Sequence, residues 1–447
     1  MKTVIIGGVA GGLSAASQIK REDRDAEVIV MEKSGDVSYG ACGMPYNLLQ
    51  KETPLESLYA LGIEDIRTKR GIDYRLRNEV VAIDPVQKQL TVVDHERARE
   101  YRESYDFLVY ATGNKPVRLS SPGFEADDVF YFKTLDDARL IKKFIYEKAP
   151  KSALLVGSGY TNLELADVLS DLNITPVILK RSDSILPEFA EEIRAKVLEK
   201  LVEKKIQLHT GVEIIEKKGP VIITTLGSFD AEMVVVAIGS KPNSDLLLAA
   251  GGELGVNGAV IVDRYLQTTL PSVFAVGDCA EHYVRQLGVN GYMPLGPVAN
   301  KQGRLAGSNI VNNGAMKMFS GIDQTAVFKF FDLTVGTTGL NERQLQEGGM
   351  QYVKVFVDTR TRGAFPGGGK MRVLLLFEKN TGLLFGGQMV GEDVVAKRLD
   401  VLATALYNRM TVFELSELDL CYAPPYATVW DPLLVAANKA VREVSKV

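Results

Sequence analysis

An α/β architecture is predicted by three observations. One unit occurs twice: a short β-branched strand, a glycine turn, a helix start and a second strand. It appears as "KTVIIGGVAGGLSAASQIKR" with "AEVIVMEK", and again from Ser152 as "SALLVGSGYTNLELADVLSDL" with "TPVILKRSD". Three further apolar strands, in "YDFLVYATGNKP", "AEMVVVAIGSKPNSD" and "TTLPSVFAVGDCAE", each end in a glycine-containing turn. At 447 residues the chain exceeds what one hydrophobic core serves, about 250 residues, so two or three domains are expected. Each repeated unit reads as the βαβ opening of a dinucleotide-binding (Rossmann-like) domain, where glycines let the backbone approach a pyrophosphate at a helix amino terminus.

The first unit carries Gly7, Gly8, Ala10, Gly11 and Gly12, with Val9 where a middle glycine is expected. Its second strand ends at Glu32, a carboxylate able to accept from a ribose diol, so this site suits an unphosphorylated adenosine. The second unit carries Gly157 and Gly159, has Asn162 where the last glycine belongs, and ends its second strand at Lys180 and Arg181. Those cations suit a 2′-phosphate, which points to NADPH, with NADH as the alternative. Two units imply two dinucleotides. The strands ending at Gly113 and Gly239 would bring the chain back across the dinucleotide crevice and switch domains. The strand ending in Gly277-Asp278 leaves a carboxylate where ribityl hydroxyls could bind.

Composition narrows the setting. A net charge of −4 without a Lys/Arg run excludes nucleic acid and anionic membrane as expected partners. No apolar run approaches the roughly 20 residues of a membrane helix, and "MKTVIIGG" is too short an apolar stretch for a signal peptide. Cys42, Cys279 and Cys421 are too few and too scattered for a disulfide framework, so a reducing cytoplasm is the expected compartment. Cys42 lies in "VSYGACGMPYNL", where the small neighbours Gly40, Ala41 and Gly43 would clear space for a flat ring. A helix amino terminus after Pro45 is expected to favour its thiolate. Cys279, next to Gly277-Asp278, reads as packing.

These motifs, in this order, resemble the FAD-dependent pyridine nucleotide–disulfide oxidoreductases across nearly the whole chain. Within them, "SYGACGMPY" resembles the single-cysteine motif S-x-x-x-C-x-x-P-Y of coenzyme A disulfide reductases and NAD(P)H polysulfide reductases, and "YAPPYATVWDP" resembles their dimer-domain signature. The resemblance implies the glutathione-reductase type of fold: a discontinuous FAD-binding domain (1–113 and 242–323), an inserted NAD(P)H-binding domain (114–241) and an α+β dimerisation domain (324–447). It implies a homodimer, for which the apolar spacing of residues 398–418 is read as interface. FAD contacts are implied at Gly7, Gly8, Ala10, Gly11, Gly12, Glu32, Lys33, Val80, Thr112, Gly113 and Asp278. NADPH contacts are implied at Gly157, Gly159, Tyr160, Glu164, Lys180, Arg181 and Gly239.

By the same resemblance, hydride from NADPH reduces FAD on one face and electrons pass to Cys42 on the other. No second cysteine lies within residues 37–47, so Cys42 must store its oxidising equivalent with a partner, as a mixed disulfide, persulfide or sulfenic acid. His95, His209 and His282 all precede residue 324, so no imidazole of the terminal domain can act as proton donor. The resemblance gives that place to Tyr422 and Tyr426. It maps substrate contacts onto Ser14, Gln18, Arg21, Ser38 and a basic residue at Lys69 or Arg70. Ala41, Ala364, Phe365 and Trp430 depart from the family pattern and remove donors for a pantetheine arm and phosphates. Cys421, one residue before Tyr422, reads as burial or as a thiol approaching Cys42 of a second chain. Three functions remain open: reduction of a small disulfide, polysulfide or persulfide through Cys42; oxygen, peroxide or metal reduction with the same groups; and a flavin-bound redox-sensing or partner-binding role.

Overall fold

Five parallel strands, in the order Val273–Ala275, Phe107–Tyr110, Lys2–Ile6, Glu27–Met31 and Asp73–Arg75, form the sheet around which the amino-terminal half is organised. The β-branched and apolar residues Val4, Ile5, Ile29, Val30, Leu108 and Val109 are buried, as a parallel sheet covered on both faces requires. The computed structural model describes residues 1–363 and 365–444, so Ala364 lies outside the described residues. The chain divides into two units: 1–118, 131–147 and 239–322 in the first; 119–130, 148–238 and 323–447 in the second.

In the first unit, helix α1 (Ala10–Glu22) follows the Lys2–Ile6 strand, and helix α2 (Met44–Asn47) lies in the loop after Glu27–Met31. Helix α3 (Leu135–Lys148) begins in this unit with two acidic residues in its first turn, the favourable sign at a helix amino terminus. Helix Gly296–Val311 packs along α1 through small residues. A Cβ on Gly303 would stand 2.1 Å from the Gly11 carbonyl oxygen, and one on Gly307 2.6 Å from that of Ala15.

The second unit repeats the theme. Parallel strands Gln207–His209, Thr175–Leu179, Ser152–Val156 and Met233–Val236 lie side by side, and helix α4 (Tyr160–Asp171) follows Ser152–Val156. Residues 323–444 add a five-stranded antiparallel sheet, ordered Ala326–Phe330, Leu333–Gly339, Leu384–Gly391, Lys370–Glu378, Tyr352–Arg360. Helix Val395–Tyr407 lies on it, with Leu399 and Leu402 seated where Gly336 and Gly387 lack a Cβ.

That packing corrects one expectation. The apolar spacing of residues 398–418 serves a core inside the chain: Leu399, Leu402, Ala405, Leu406, Val412 and Leu415 are buried in one cluster with Met389 and Ala437. The stretch also breaks into two helices, Val395–Tyr407 and Val412–Ser416. Helical periodicity marks a buried face without saying what buries it. Among the described residues, no helix is long and apolar enough to cross a membrane.

Candidate active site

Strand order places the first group of expected residues together. Gly7, Glu32, Thr112, Gly113 and Asp278 each follow the carboxyl end of a strand of one parallel sheet, where open α/β sheets bind ligands. Gly7 has φ 95°, and a Cβ there would stand 2.3 Å from the Ala111 carbonyl oxygen. Gly8 is bare because the Tyr74 ring occupies the space, its hydroxyl donating to the Gly8 carbonyl at 3.0 Å. The buried Glu32 carboxylate accepts from the Gly8 and Ser34 backbone N–H groups at 2.8 and 2.9 Å, which fixes it beside the glycine turn. Val80 lies two residues past Asn78, whose N–H donates to the Glu32 carbonyl; Lys33 is exposed.

The chain crossing at Gly113 is held by Asn243. Its amide donates to the Thr112 carbonyl at 2.9 Å, and its carbonyl accepts from Tyr110 and Thr112 hydroxyls at 2.7 and 2.6 Å. Gly113 has φ 68° with nothing within 4 Å of a Cβ position, so its backbone is bare toward open space. Asp278 pairs with Lys133 at 3.2 Å. Helix α1 carries neither a side-chain cap nor an acidic residue in its first turn, so its amino terminus suits an anion. These residues fit an adenine dinucleotide.

Cys42 sits in a tight turn, Ala41–Gly43, that runs directly into α2, and its thiol is exposed. The segment closes on residues 58–60: Gly40 N–H donates to the Leu58 carbonyl at 2.9 Å and Ala60 N–H to the Ser38 carbonyl at 2.8 Å. Two expectations change here. A Cβ on Gly43 would meet Leu58 at 2.7 Å, so this glycine makes room for a core side chain, while a Cβ on Gly40 would have only the Leu58 carbonyl oxygen near it, at 3.9 Å. The helix starts at Met44, with Pro45 in its first turn, and has only four residues, too few for an appreciable dipole.

Beside this segment lies a cleft of about 190 Å³, lined by Ser14, Ser17, Arg21, Ser38, Arg70, Asn300 and Arg304 among others. Ser14 donates to Asn300 at 2.7 Å and Arg70 to Ser17 at 2.5 Å. Gln18 does not line the cleft; it accepts from Arg21 and donates to Glu22. Of the two basic candidates, Lys69 is exposed and pairs with Asp65, whereas Arg70 faces the cleft. None of the three arginines has a carboxylate partner among the described residues, so the cleft presents uncompensated positive charge. Sequence reasoning missed Asn300 and Arg304. The signal was there: Gly303 and Gly307, four apart on one helix, mark the face that meets α1, and Asn300 and Arg304 flank it.

The second glycine turn copies the first. Gly157 has φ 101°, and its Cβ position is 2.3 Å from the Ala237 carbonyl oxygen. Gly159 stands at the N-cap position of α4, which therefore has no side-chain cap, and a Cβ there would meet nothing within 4 Å. Asn162 is fully buried and donates to the Val156 and Gly157 carbonyls at 2.8 and 2.9 Å, tying helix to turn where a glycine would allow bare contact. Tyr160 stacks on Phe328 at 4.7 Å, and burial pushes its phenol far above the ordinary range. Glu164 is half-buried on α4, Lys180 half-buried and Arg181 exposed at the end of Thr175–Leu179. Gly239 falls in the first unit, accepting from Val117 N–H at 2.9 Å.

In the terminal segment, Cys421, Tyr422, Tyr426, Val429 and Trp430 are all exposed, Tyr426 by 72% and Trp430 by 62%. Its base is fixed by a buried Asp431–Arg398 pair at 2.8 Å. Phe365 is exposed as well. Cys279, by contrast, is fully buried against the Tyr110 and Val276 carbonyls, and burial raises its thiol to about 11, so it packs as expected. Among the described residues, no cluster of acidic, histidine and cysteine side chains could hold a metal.

Residues 1–303 match the model of the pyridine nucleotide-disulphide oxidoreductases, and residues 325–432 that of their dimerisation domain. The chain is 32% identical to an NADH oxidase of Methanocaldococcus jannaschii over 100% of both chains. It is 33% identical to an NAD(P)H coenzyme A polysulfide/persulfide reductase of Pyrococcus horikoshii, over 98% of each. A crystal structure of reduced Bacillus anthracis CoADR-RHD superimposes with a TM-score of 0.96 at 32% identity, covering 100% of this chain and 81% of that one. With two glycine turns at parallel-strand ends, an exposed thiol and a terminal dimerisation domain, the chain is an oxidoreductase and belongs to the pyridine nucleotide-disulphide oxidoreductase family.

Proposed function

We propose that this protein is an FAD-dependent NADPH oxidoreductase that reduces a small disulfide, persulfide or polysulfide on an anionic carrier, coenzyme A being the best match, through Cys42. The observation that carries it is the three-arginine cleft whose wall includes Ser38, four residues before the exposed Cys42. An acceptor held there by its phosphates has its sulfur end delivered toward the segment that bears the thiol.

FAD would be held by the Gly7–Gly12 turn, Glu32, Val80, Thr112, Gly113 and Asp278, and NADPH by Gly157, Gly159, Glu164, Lys180 and Arg181. Bound together, flavin and nicotinamide supply the electron pair. Cys42 thiolate attacks one sulfur of the acceptor; the S–S bond breaks, and the departing thiolate takes a proton. In a homodimer, Tyr422 or Tyr426 of the second chain supplies that proton, a phenol being a serviceable donor. The mixed disulfide left on Cys42 accepts two electrons and one proton and releases the second thiol. The net reaction consumes one NADPH and one proton per disulfide and yields two thiols. The exposed Tyr422, Tyr426, Val429 and Trp430 support a homodimer, since an apolar cluster of this kind needs a partner to cover it. A cytoplasmic location fits such thiol chemistry.

The relative named as an NADH oxidase supports a second reading, in which oxygen is the acceptor. NADPH consumption measured against coenzyme A disulfide, coenzyme A persulfide, polysulfide and oxygen separates the two. A sulfur acceptor should exceed oxygen at least tenfold in kcat/KM; the reverse order would replace the reductase reading with the oxidase one.

A further inference from the structure

One face of α3 grips the thiol segment on both sides of Cys42. Residues 139, 142 and 146 fall on a single helical stripe, and each donates to that segment, Arg139 also pairing with Asp136 of its own helix. Lys142 uses three N–H donors on three acceptors: Asn47 Oδ1 at 2.8 Å, the Gln50 carbonyl at 2.8 Å and the Thr53 carbonyl at 2.6 Å. Tyr146 donates to the Leu48 carbonyl at 2.8 Å. Arg139 forks onto both oxygens of the buried Asp36 at 2.9 and 2.6 Å and reaches Glu56 at 2.7 Å. Asp36 in turn accepts from the Tyr59 hydroxyl at 2.6 Å.

We infer that α3 positions the Cys42 segment, with Lys142 as its principal positioning residue; this rests on Cys42 being the redox thiol. α2 cannot hold itself in place, because one helical turn is far below the length at which a helix is stable alone. The loop from Gln50 to Thr53 is tied by local backbone bonds, Gln50 N–H to the Asn47 carbonyl at 3.0 Å and Thr53 N–H to the Gln50 carbonyl at 3.1 Å, which do not anchor it to another element. Lys142 supplies what both lack. It joins a side chain of α2 to two loop carbonyls through one ammonium, so removing it releases the turn carrying Cys42 from its carboxyl-terminal side. Arg139 fixes the amino-terminal side at Asp36. The placement of a thiol against a redox partner tolerates little drift, and about 1 Å of misplacement can cost a hundredfold in rate. The donors of Lys142 and Tyr146 go to Asn47, Leu48, Gln50 and Thr53, so these two residues act on the thiol through the geometry of the segment.

The test uses the purified flavin-loaded protein and the variants Lys142→Met, Lys142→Arg and Tyr146→Phe. With Cys42 first converted to a mixed disulfide, one equivalent of NADPH should release its thiolate against oxidised flavin, and the long-wavelength charge-transfer absorption of that pair should be at least twofold weaker in K142M and recover in K142R. The flavin-to-protein ratio should be unchanged in both. Y146F removes one hydroxyl and leaves the helix otherwise intact. In Y146F, backbone amides of residues 44–50 should exchange hydrogen at least threefold faster than in wild type, and those of residues 2–6 should not change. If K142M fails to fold, Y146F decides alone. Unchanged absorption in K142M, or unchanged exchange in Y146F, overturns the inference. Should Cys42→Ser keep full turnover with sulfur acceptors, the catalytic reading fails while the exchange rates still report the grip of α3.

Discussion

A Cβ added to Gly12 would stand 1.8 Å from the carbonyl oxygen of Gly7, so helix α1 starts with its backbone pressed onto the turn that precedes it. In the second unit Asn162 occupies the corresponding place and makes two hydrogen bonds to the turn instead. The same fold is reached by bare contact in one copy and by an amide clamp in the other. Gly12→Ala should therefore cost about 1–3 kcal/mol by overpacking and lower the flavin-to-protein ratio. Asn162→Gly loses hydrogen bonds worth about 0.5–1.5 kcal/mol each but keeps the turn open, so it should fold and bind flavin normally. Melting temperature and flavin absorbance check both; a Gly12→Ala protein indistinguishable from wild type would refute the close contact.

Cofactor preference follows from Lys180, half-buried at a strand end and in no ion pair among the described residues. A charge-assisted contact with a 2′-phosphate is worth roughly 1.5–3 kcal/mol, or about tenfold to a hundredfold in affinity. NADPH should be preferred to NADH by that factor, and Lys180→Ala should erase most of it by raising the Kd for NADPH only. Equal use of both nucleotides by the wild type would mean that the cation faces solvent.

The arginine cleft makes a matching prediction on the acceptor side. Arg304→Gln should raise KM for coenzyme A disulfide about tenfold to a hundredfold, with little change for pantethine, which lacks the phosphates. A parallel loss with both substrates would show that Arg304 supports the fold and does not read charge.

Stability in mild acid should depend on His282. Its ring is fully buried, Nδ1 accepts from Met293 N–H at 3.2 Å, and burial lowers its pKa to about 4 from 6.5. The folded state therefore holds it neutral while the unfolded chain protonates. Below about pH 6.5 the unfolded state binds the extra proton, so stability falls as pH drops from 6.5 toward 4, by about 3 kcal/mol from this group. His282→Asn, which keeps an acceptor for Met293 N–H, should flatten that part of the denaturation profile. Identical slopes for wild type and variant would remove His282 from the account.

Much of this site is legible in the sequence because strand–turn–helix units announce themselves locally. Gly7, Glu32, Gly157 and Lys180 each follow a run of apolar strand residues, and the structure sets each at a strand's carboxyl end. Contacts made across the chain are another matter. Arg139, Lys142 and Tyr146 read as one polar face of an amphipathic helix, which solvent alone would explain, and only the fold shows what they hold. Leu399 and Leu402 mislead in the opposite direction: their spacing marks a buried face, yet the burying surface is the chain's own sheet, fitted through Gly336 and Gly387. Arg304 escaped notice since the α1 residues that line the cleft with it lie almost 300 positions away, a separation the Ser14–Asn300 hydrogen bond, 286 residues apart, illustrates.

Passage of electrons to the acceptor through Cys42 is the step on which the proposed reaction depends. It is tested most directly by comparing wild type with Cys42→Ser in NADPH-driven reduction of coenzyme A disulfide and polysulfide, with flavin reduction followed in parallel. The variant should lose at least about a thousandfold in sulfur reduction, a loss of roughly 4 kcal/mol in transition-state stabilisation, while NADPH still bleaches its flavin at the wild-type rate. Full sulfur turnover by Cys42→Ser would contradict the account and leave the exposed thiol without a part in the chemistry.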